Sequence, residues 1–120
     1  MTDQPTPDTA TDTHQIEDVD PARALALAGE GALLLDVRED DEWAAGHIPG
    51  SVHMRLGDLD PSRVPAGVRV VAVCRSGSRS RRAATMLATA GFDVVNLAGG
   101  VMAWHGAGLE LTLPGHGQDG

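Results

Sequence analysis

Cys74 is the chain's single cysteine, and the residues around it have the types and spacing that can do chemistry. The apolar run Val70-Val71-Ala72-Val73 leads into it, and the polar turn Cys74-Arg75-Ser76-Gly77-Ser78-Arg79 follows. A helical pattern then begins at Ser80. Strand, tight turn and helix in that order put a thiol at a strand's carboxyl end, beneath a helix N-terminus. Unpaired backbone N–H groups point outward there, and the helix dipole favours negative charge. A cysteine so placed is expected to be a thiolate, because helix N-termini and nearby arginines lower a thiol pKa from ~8.5 to roughly 3.5–7.5. Arg75, Arg79, Arg81 and Arg82 crowd the turn and the first helical turn, where cations oppose the macrodipole. Acids would stand there in a sequence written only for stability, so the arginines point to an anionic ligand. The plain alternative is a solvated helix end whose charges happen to cluster.

The rest of the chain must position this turn. Its 120 residues make one domain with a tail. Aromatic residues are confined to Trp43, Phe92 and Trp104, so the core is expected to be aliphatic, with both tryptophans inside it. No apolar run approaches the ~20 residues of a membrane span, and no secretory leader pattern stands at the N-terminus. The expectation is a cytoplasmic protein with no membrane partner. Net charge is −8 and all nine cations are arginine. One basic spot on an acidic protein suits a small anion better than nucleic acid, which needs a broad basic stripe. A lone cysteine excludes an internal disulfide and an all-cysteine metal site. It also means that no second thiol in this chain can resolve a modified Cys74. The five histidines show no ligand spacing, so no metal is expected, and no cofactor either. Neither G-x-G-x-x-G nor a Walker A lysine loop is present.

Residues 1–13 are rich in Thr, Asp and Pro and read as a disordered acidic tail, whose Asp3, Asp8 and Asp12 serve solubility or fold back on the arginines. The domain is expected over 14–113, with a flexible end over 114–120. Gln15-Ile16-Glu17 suggests a short edge strand. Asp20-Pro21 supplies an N-cap and a first-turn proline for a helix over Ala22–Ala28. Ala32–Val37 reads as a strand buried on both faces. Glu39–Ala45 reads as a short helix stopped at Gly46, and Ser51–His53 as a brief strand. Met54–Leu59 suggests a further short helix, and Pro61 to Gly67 a loop. Arg69–Val73 is the central strand. Its helix spans about Arg79 to Ala90, with Ala83, Leu87 and Ala90 as the inward stripe. A strand around Val94-Val95 and a helix over Val101–Ala107 complete the pattern, and Leu109–Leu113 trails off. Strands alternating with helices argue for an α/β parallel sheet covered on both faces, whose site lies at the strands' carboxyl ends.

Several ordered motifs resemble those of single-domain rhodaneses. They are Asp36-Val37-Arg38, Gly46-His47-Ile48-Pro49-Gly50-Ser51, Cys74-Arg75-Ser76-Gly77-Ser78-Arg79-Ser80, Gly91-Phe92 and Leu97-Ala98-Gly99-Gly100-Val101-Met102-Ala103-Trp104. The likeness covers about Gln15 to Leu111. It implies a five-stranded parallel sheet with helices on both faces, and sulfur transfer through a persulfide on Cys74.

On that resemblance a thiolate at Cys74 takes the sulfane sulfur of a donor such as thiosulfate, and a thiol or cyanide acceptor removes it. Amides from Arg75 to Ser80, turned by Gly77, would cradle the charge. Arg75 is the candidate for attracting an anionic donor. Arg79 either holds the loop carbonyls or meets the substrate. Ser76 and Ser78 either donate to the persulfide or satisfy the turn's own backbone. Asp36, Arg38 and His47 are expected to support the site by pairing and packing. A cysteine phosphatase ranks below this reading, because its C-x5-R loop holds a tetrahedral oxyanion, whereas Cys74 and Arg79 enclose a smaller loop. A persulfide carrier serving a specific protein partner fits the same residues.

Overall fold

The computed structural model describes residues 16–113. The two ends, including the acidic tail and Gln15, lie outside the described residues. Five strands form one parallel sheet: β1 (Asp18–Val19), β2 (Leu33–Asp36), β3 (Val52–His53), β4 (Val70–Val73) and β5 (Val94–Leu97), in the order β1-β5-β4-β2-β3. Four α-helices accompany them: α1 (Pro21–Gly29), α2 (Asp40–Ala45), α3 (Ser78–Thr89) and α4 (Gly100–Gly106). The central strand is β4, and every residue of it is buried. Its runs of branched aliphatics suit a strand covered on both faces.

Alternation along β4 divides the core. Val71 and Val73 face α1 and α4 together with Leu34, Val95, Leu97 and Trp104. Val70, Ala72 and Cys74 face α3 with Leu35, Ala83, Ala84 and Leu87. Leu87 is wholly buried, which stabilises the fold by about 1.5–3 kcal/mol relative to exposure. The inward stripe of α3 is Ser80, Ala83, Ala84 and Leu87, while Ala90 lies past the helix and is exposed. Apart from Leu87, that stripe is made of small side chains.

Helix α1 starts as its sequence suggests. Asp20 caps it, its carboxylate accepting from the Arg23 amide at 2.8 Å, and Pro21 occupies the first turn. The edge strand falls at Asp18–Val19 rather than over Ile16–Glu17, because its position is set by pairing with Asn96 and Leu97 of β5. Met54–Leu59 and Pro61–Gly67 hold single 3-10 turns, Leu56–Asp58 and Pro61–Arg63. Leu109–Leu113 does not trail off. The Trp104 indole donates to the Glu110 carbonyl at 2.8 Å, Thr112 bridges to His47, and Leu109 and Leu111 pack on the core.

Strand β4 continues to β5 on one side while β2 continues to β3 on the other, so the carboxyl ends of the adjacent β2 and β4 open a crevice. Asp36 lies opposite Val73 in register, and the Val37 amide donates to the Val73 carbonyl at 2.9 Å. Beside the crevice Asp36 and Arg38 form a buried ion pair, with Nε and Nη2 of Arg38 donating to the carboxylate at 2.8–3.0 Å. Arg38 Nη2 also donates to the Gly46 carbonyl at 2.8 Å, so one guanidinium ties the β2 end to the α2 end. Asp36→Ala strands the Arg38 charge in the interior and is expected to cost ~3–5 kcal/mol, read as a lowered urea midpoint.

Candidate active site

The Cys74 loop leaves the central strand and closes at Gly77, whose φ of 109° only glycine adopts freely. A side chain would also be crowded, since a Cβ at Gly77 would stand 3.2 Å from the Gly99 nitrogen. The Gly77 amide donates to Cys74 Sγ at 3.0 Å, and the Ser80 hydroxyl lies 3.3 Å from the same sulfur. Both donors come from the turn and first coil of α3. The well-formed hydrogen bonds to the sulfur are thus one backbone amide and one hydroxyl, with the Ser76 and Ser80 amides also acting on it.

From the other side α4 holds the loop. The Val101 amide donates to the Cys74 carbonyl at 2.8 Å and the Met102 amide to the Arg75 carbonyl at 3.1 Å. Gly100 allows this approach, because a Cβ there would land on the Cys74 carbonyl oxygen. Two helix N-termini thus meet at the loop: α4 takes its carbonyls and α3 offers its amides.

Burial pushes the Cys74 thiol up. The Ser80 hydroxyl, with the Ser80, Gly77 and Ser76 amides, pulls the other way and wins, leaving the thiol below its ordinary value. The residue has no exposed surface. A groove of about 290 Å³ lined by Arg38, Glu42, Arg75, Met102 and neighbours opens nearby, but Cys74 is not among its lining.

The sequence-derived residues scatter in role. Arg75 is exposed, lines the groove and makes no ion pair among the described residues. Arg79 makes no hydrogen bond to the loop carbonyls among the described residues. Its guanidinium pairs with Glu42 of α2, two N–H groups donating to the two carboxylate oxygens at 2.7 and 2.8 Å. Arg81 is likewise engaged, with Asp18 of β1. Half of the arginine cluster therefore braces neighbouring elements. Ser76 and Ser78 are exposed and their hydroxyls make no hydrogen bond to the sulfur among the described residues, whereas the Ser80 hydroxyl is buried against it.

His47 and His53 are brought to the two faces of Trp43, with ring centroids 3.6 and 4.7 Å apart and nearly parallel planes. Trp43 is accordingly half-buried in a stack, not in the core. His47 Nδ1 lies 3.1 Å from the Trp43 carbonyl, and His53 Nε2 lies 2.7 Å from the Arg38 carbonyl. Both histidines pack α2 against β3 and neither contacts the sulfur. Among the described residues no cluster of metal-ligating side chains occurs, and no helix is long and apolar enough to cross a membrane.

Sequence reasoning missed Glu42 and Asn96. Asn96 of β5 is buried, lies within hydrogen-bond reach of Ser80, and donates to the Gly77 carbonyl at 3.1 Å. A polar residue inside a buried strand was the available signal, since such a side chain must find partners.

A parallel α/β sheet carrying a cysteine loop between two helix N-termini, at the carboxyl end of its central strand, defines a class of cysteine-loop domains. The rhodanese-like domain family model matches residues 20–107, and the chain belongs to that family. It is 45% identical over 82 residues to YtwF of Bacillus subtilis strain 168, provisionally named a sulfurtransferase, covering 66% of this chain and 79% of that one. It is 34% identical over 112 residues to the thiosulfate sulfurtransferase GlpE of Pseudomonas entomophila strain L48, covering 85% and 92%. The crystal structure of a rhodanese-like domain protein from Staphylococcus aureus superposes with a TM-score of 0.71 at 26% identity, covering 82% of this chain and 98% of that one. The five-stranded parallel sheet is the architecture that the resemblance implied.

The Glu42–Arg79 pair is the acid-sensitive joint of the site. Arg79 hydrogen bonding holds the Glu42 carboxyl at about 2, against the opposing effect of burial. A depressed carboxyl pKa stabilises the fold fully above the unfolded value near 4.5 and loses that contribution as pH falls toward about 2. Urea midpoints of the native chain are expected to fall across that window. Those of Glu42→Gln are expected to start lower and fall less.

Proposed function

We propose that the chain is a sulfurtransferase in which Cys74 alternates between thiolate and persulfide. The thiolate attacks the sulfane sulfur of an anionic donor such as thiosulfate, forming Cys74–S–S⁻ as the sulfur–sulfur bond of the donor breaks and sulfite leaves with its electron pair. A thiolate or cyanide acceptor then attacks the outer sulfur, and Cys74 regains its thiolate. No oxidant or general base enters either step. The observation that carries this reading is the convergence of the Gly77 amide and the Ser80 hydroxyl on Sγ, which supports an anion there against burial.

Arg75 makes no ion pair among the described residues and, unlike Arg82, lines the groove. It is suited to drawing the donor's anionic end toward the sulfur. With no second cysteine in the chain, the sulfur must leave by attack from outside.

Intact mass spectrometry after incubation with thiosulfate tests the reading. One added sulfur atom is expected on the native chain and none on Cys74→Ser. Mass gain accompanied by turnover on thiosulfate and cyanide supports the enzyme. A chain loaded only by a protein persulfide, and inert toward small molecules, would be a carrier. Arg75→Ala is expected to raise KM for thiosulfate about tenfold, the weight of one exposed charge-assisted contact, with little change in melting temperature. Equal loss of both would make Arg75 structural.

A further inference from the structure

Ser80 is completely buried, and its hydroxyl faces more acceptors than it can serve. Cys74 Sγ and the Gly77 carbonyl each lie 3.3 Å from Ser80 Oγ, and Asn96 Oδ1 lies closer still. A serine hydroxyl has one proton and turns to suit its surroundings. The orientation of the Asn96 amide is settled by its other end. Nδ2 donates to Asp18 Oδ1 at 3.0 Å and to the Gly77 carbonyl at 3.1 Å, and both of these only accept. Oδ1 is therefore the atom turned toward Ser80. Since Asn96 already serves the Gly77 carbonyl, the contest for the Ser80 proton is between Cys74 Sγ and Asn96 Oδ1. Asp18 is in turn fixed by Arg81, so the chain of contacts runs from the sheet edge to the sulfur.

We propose that Asn96 is a positioning residue for Cys74 that acts through Ser80: it is the alternative acceptor that takes the Ser80 proton whenever the cysteine sulfur is uncharged. When Sγ is a thiolate, a charge-assisted bond outweighs a neutral one about twofold and the hydroxyl turns to sulfur. When Sγ becomes the inner, neutral sulfur of a persulfide, that advantage disappears and the hydroxyl turns back to Asn96. No covalent bond forms or breaks; one O–H bond rotates between two acceptors. The buried hydroxyl is thereby satisfied in both states of the sulfur, which spares the desolvation cost of an unpaired group. The role assigned to Asn96 in this cycle rests on the persulfide reading above.

The test is the pH dependence of Cys74 alkylation by iodoacetamide, which does not depend on sulfur transfer. The charged and titratable groups around the loop are Arg75, His105 of α4 on the same groove, Arg79 with Glu42 of α2, Asp18 with Arg81, and Asp36 with Arg38 at the end of β2. Glu42 and Asp18 are held below the ordinary carboxylate range by Arg79 and Arg81, so neither titrates where the thiol does. Removing the donor in Ser80→Ala is expected to raise the alkylation midpoint by about one pH unit, tenfold in thiolate fraction. Removing the competing acceptor in Asn96→Val, or in the smaller Asn96→Ala, is expected to lower it. Neither Asn96 variant should shift the midpoint when Ser80 is already alanine.

A raised or unchanged midpoint in the Asn96 variants overturns the proposal. So does a shift that persists without the Ser80 hydroxyl, which would place the effect at the Gly77 carbonyl. Should neither Asn96 variant fold by circular dichroism, an unchanged midpoint in Ser80→Ala, which loses a single oxygen, overturns it alone. Expected shifts in a chain that never gains sulfur from thiosulfate or a protein persulfide would overturn only the sulfurtransferase reading.

Discussion

The close seating of α4 on the cysteine loop is the constraint on which the site depends. A peptide turn has as many carbonyls as amides, and a loop wrapped around an anion must send its carbonyls elsewhere. Here the amides of Val101 and Met102 receive the Cys74 and Arg75 carbonyls. The Gly77 amide is left free to face the sulfur. This exchange needs the start of α4 to lie against the loop backbone, and Gly100 is the residue that permits it. Cys74 itself is an ordinary core position just past the end of β4, in one buried cluster with Ala83 and Leu87. Its chemistry comes from how its neighbours' dipoles are disposed.

Much of this was legible in the sequence wherever one short stretch determines its own structure. The branched aliphatics of β2, β4 and β5 announce buried strands, and Asp20-Pro21 announces the start of α1. Cys74 lies just past the end of β4 and before α3, as its flanking sequence suggests. What stayed illegible was decided by distant partners. The edge strand is two residues long and owes its register to β5. Thr112 pairs with His47, sixty-odd residues earlier in the chain, so nothing local to Leu109–Leu113 foretells its docking.

The arginine cluster shows the same limit within the site. Its clustering was read as one basic spot for one anion, on the sound ground that cations oppose a helix N-terminus. In the fold the cations are shared out. Arg79 answers Glu42 and Arg81 answers Asp18, so each joins α3 to an element the sequence does not place beside it. Charge type and helical position were visible in the sequence, whereas the acid each arginine would meet was not. Arg75 differs from these two by lying in the turn itself, where its side chain leads into the groove rather than to a neighbouring helix or strand.

The two kinds of donor at the sulfur differ in a way that bears on sulfur transfer. Backbone amides are rigid and favour negative charge near Sγ at every stage. Such a cradle alone would hold the thiolate well and gain nothing from changing when the charge moves outward to a second sulfur. A hydroxyl is different, because it can turn away without leaving an empty bond, provided another acceptor stands ready. The buried Ser80 hydroxyl stands between sulfur and an amide oxygen, which is the arrangement such turning requires. A site built only from fixed donors would stabilise one state of the cysteine at the expense of the other. In the proposed cycle, one movable donor among the fixed ones would bring the two states closer in free energy, as a reaction that must both load and unload the same atom demands.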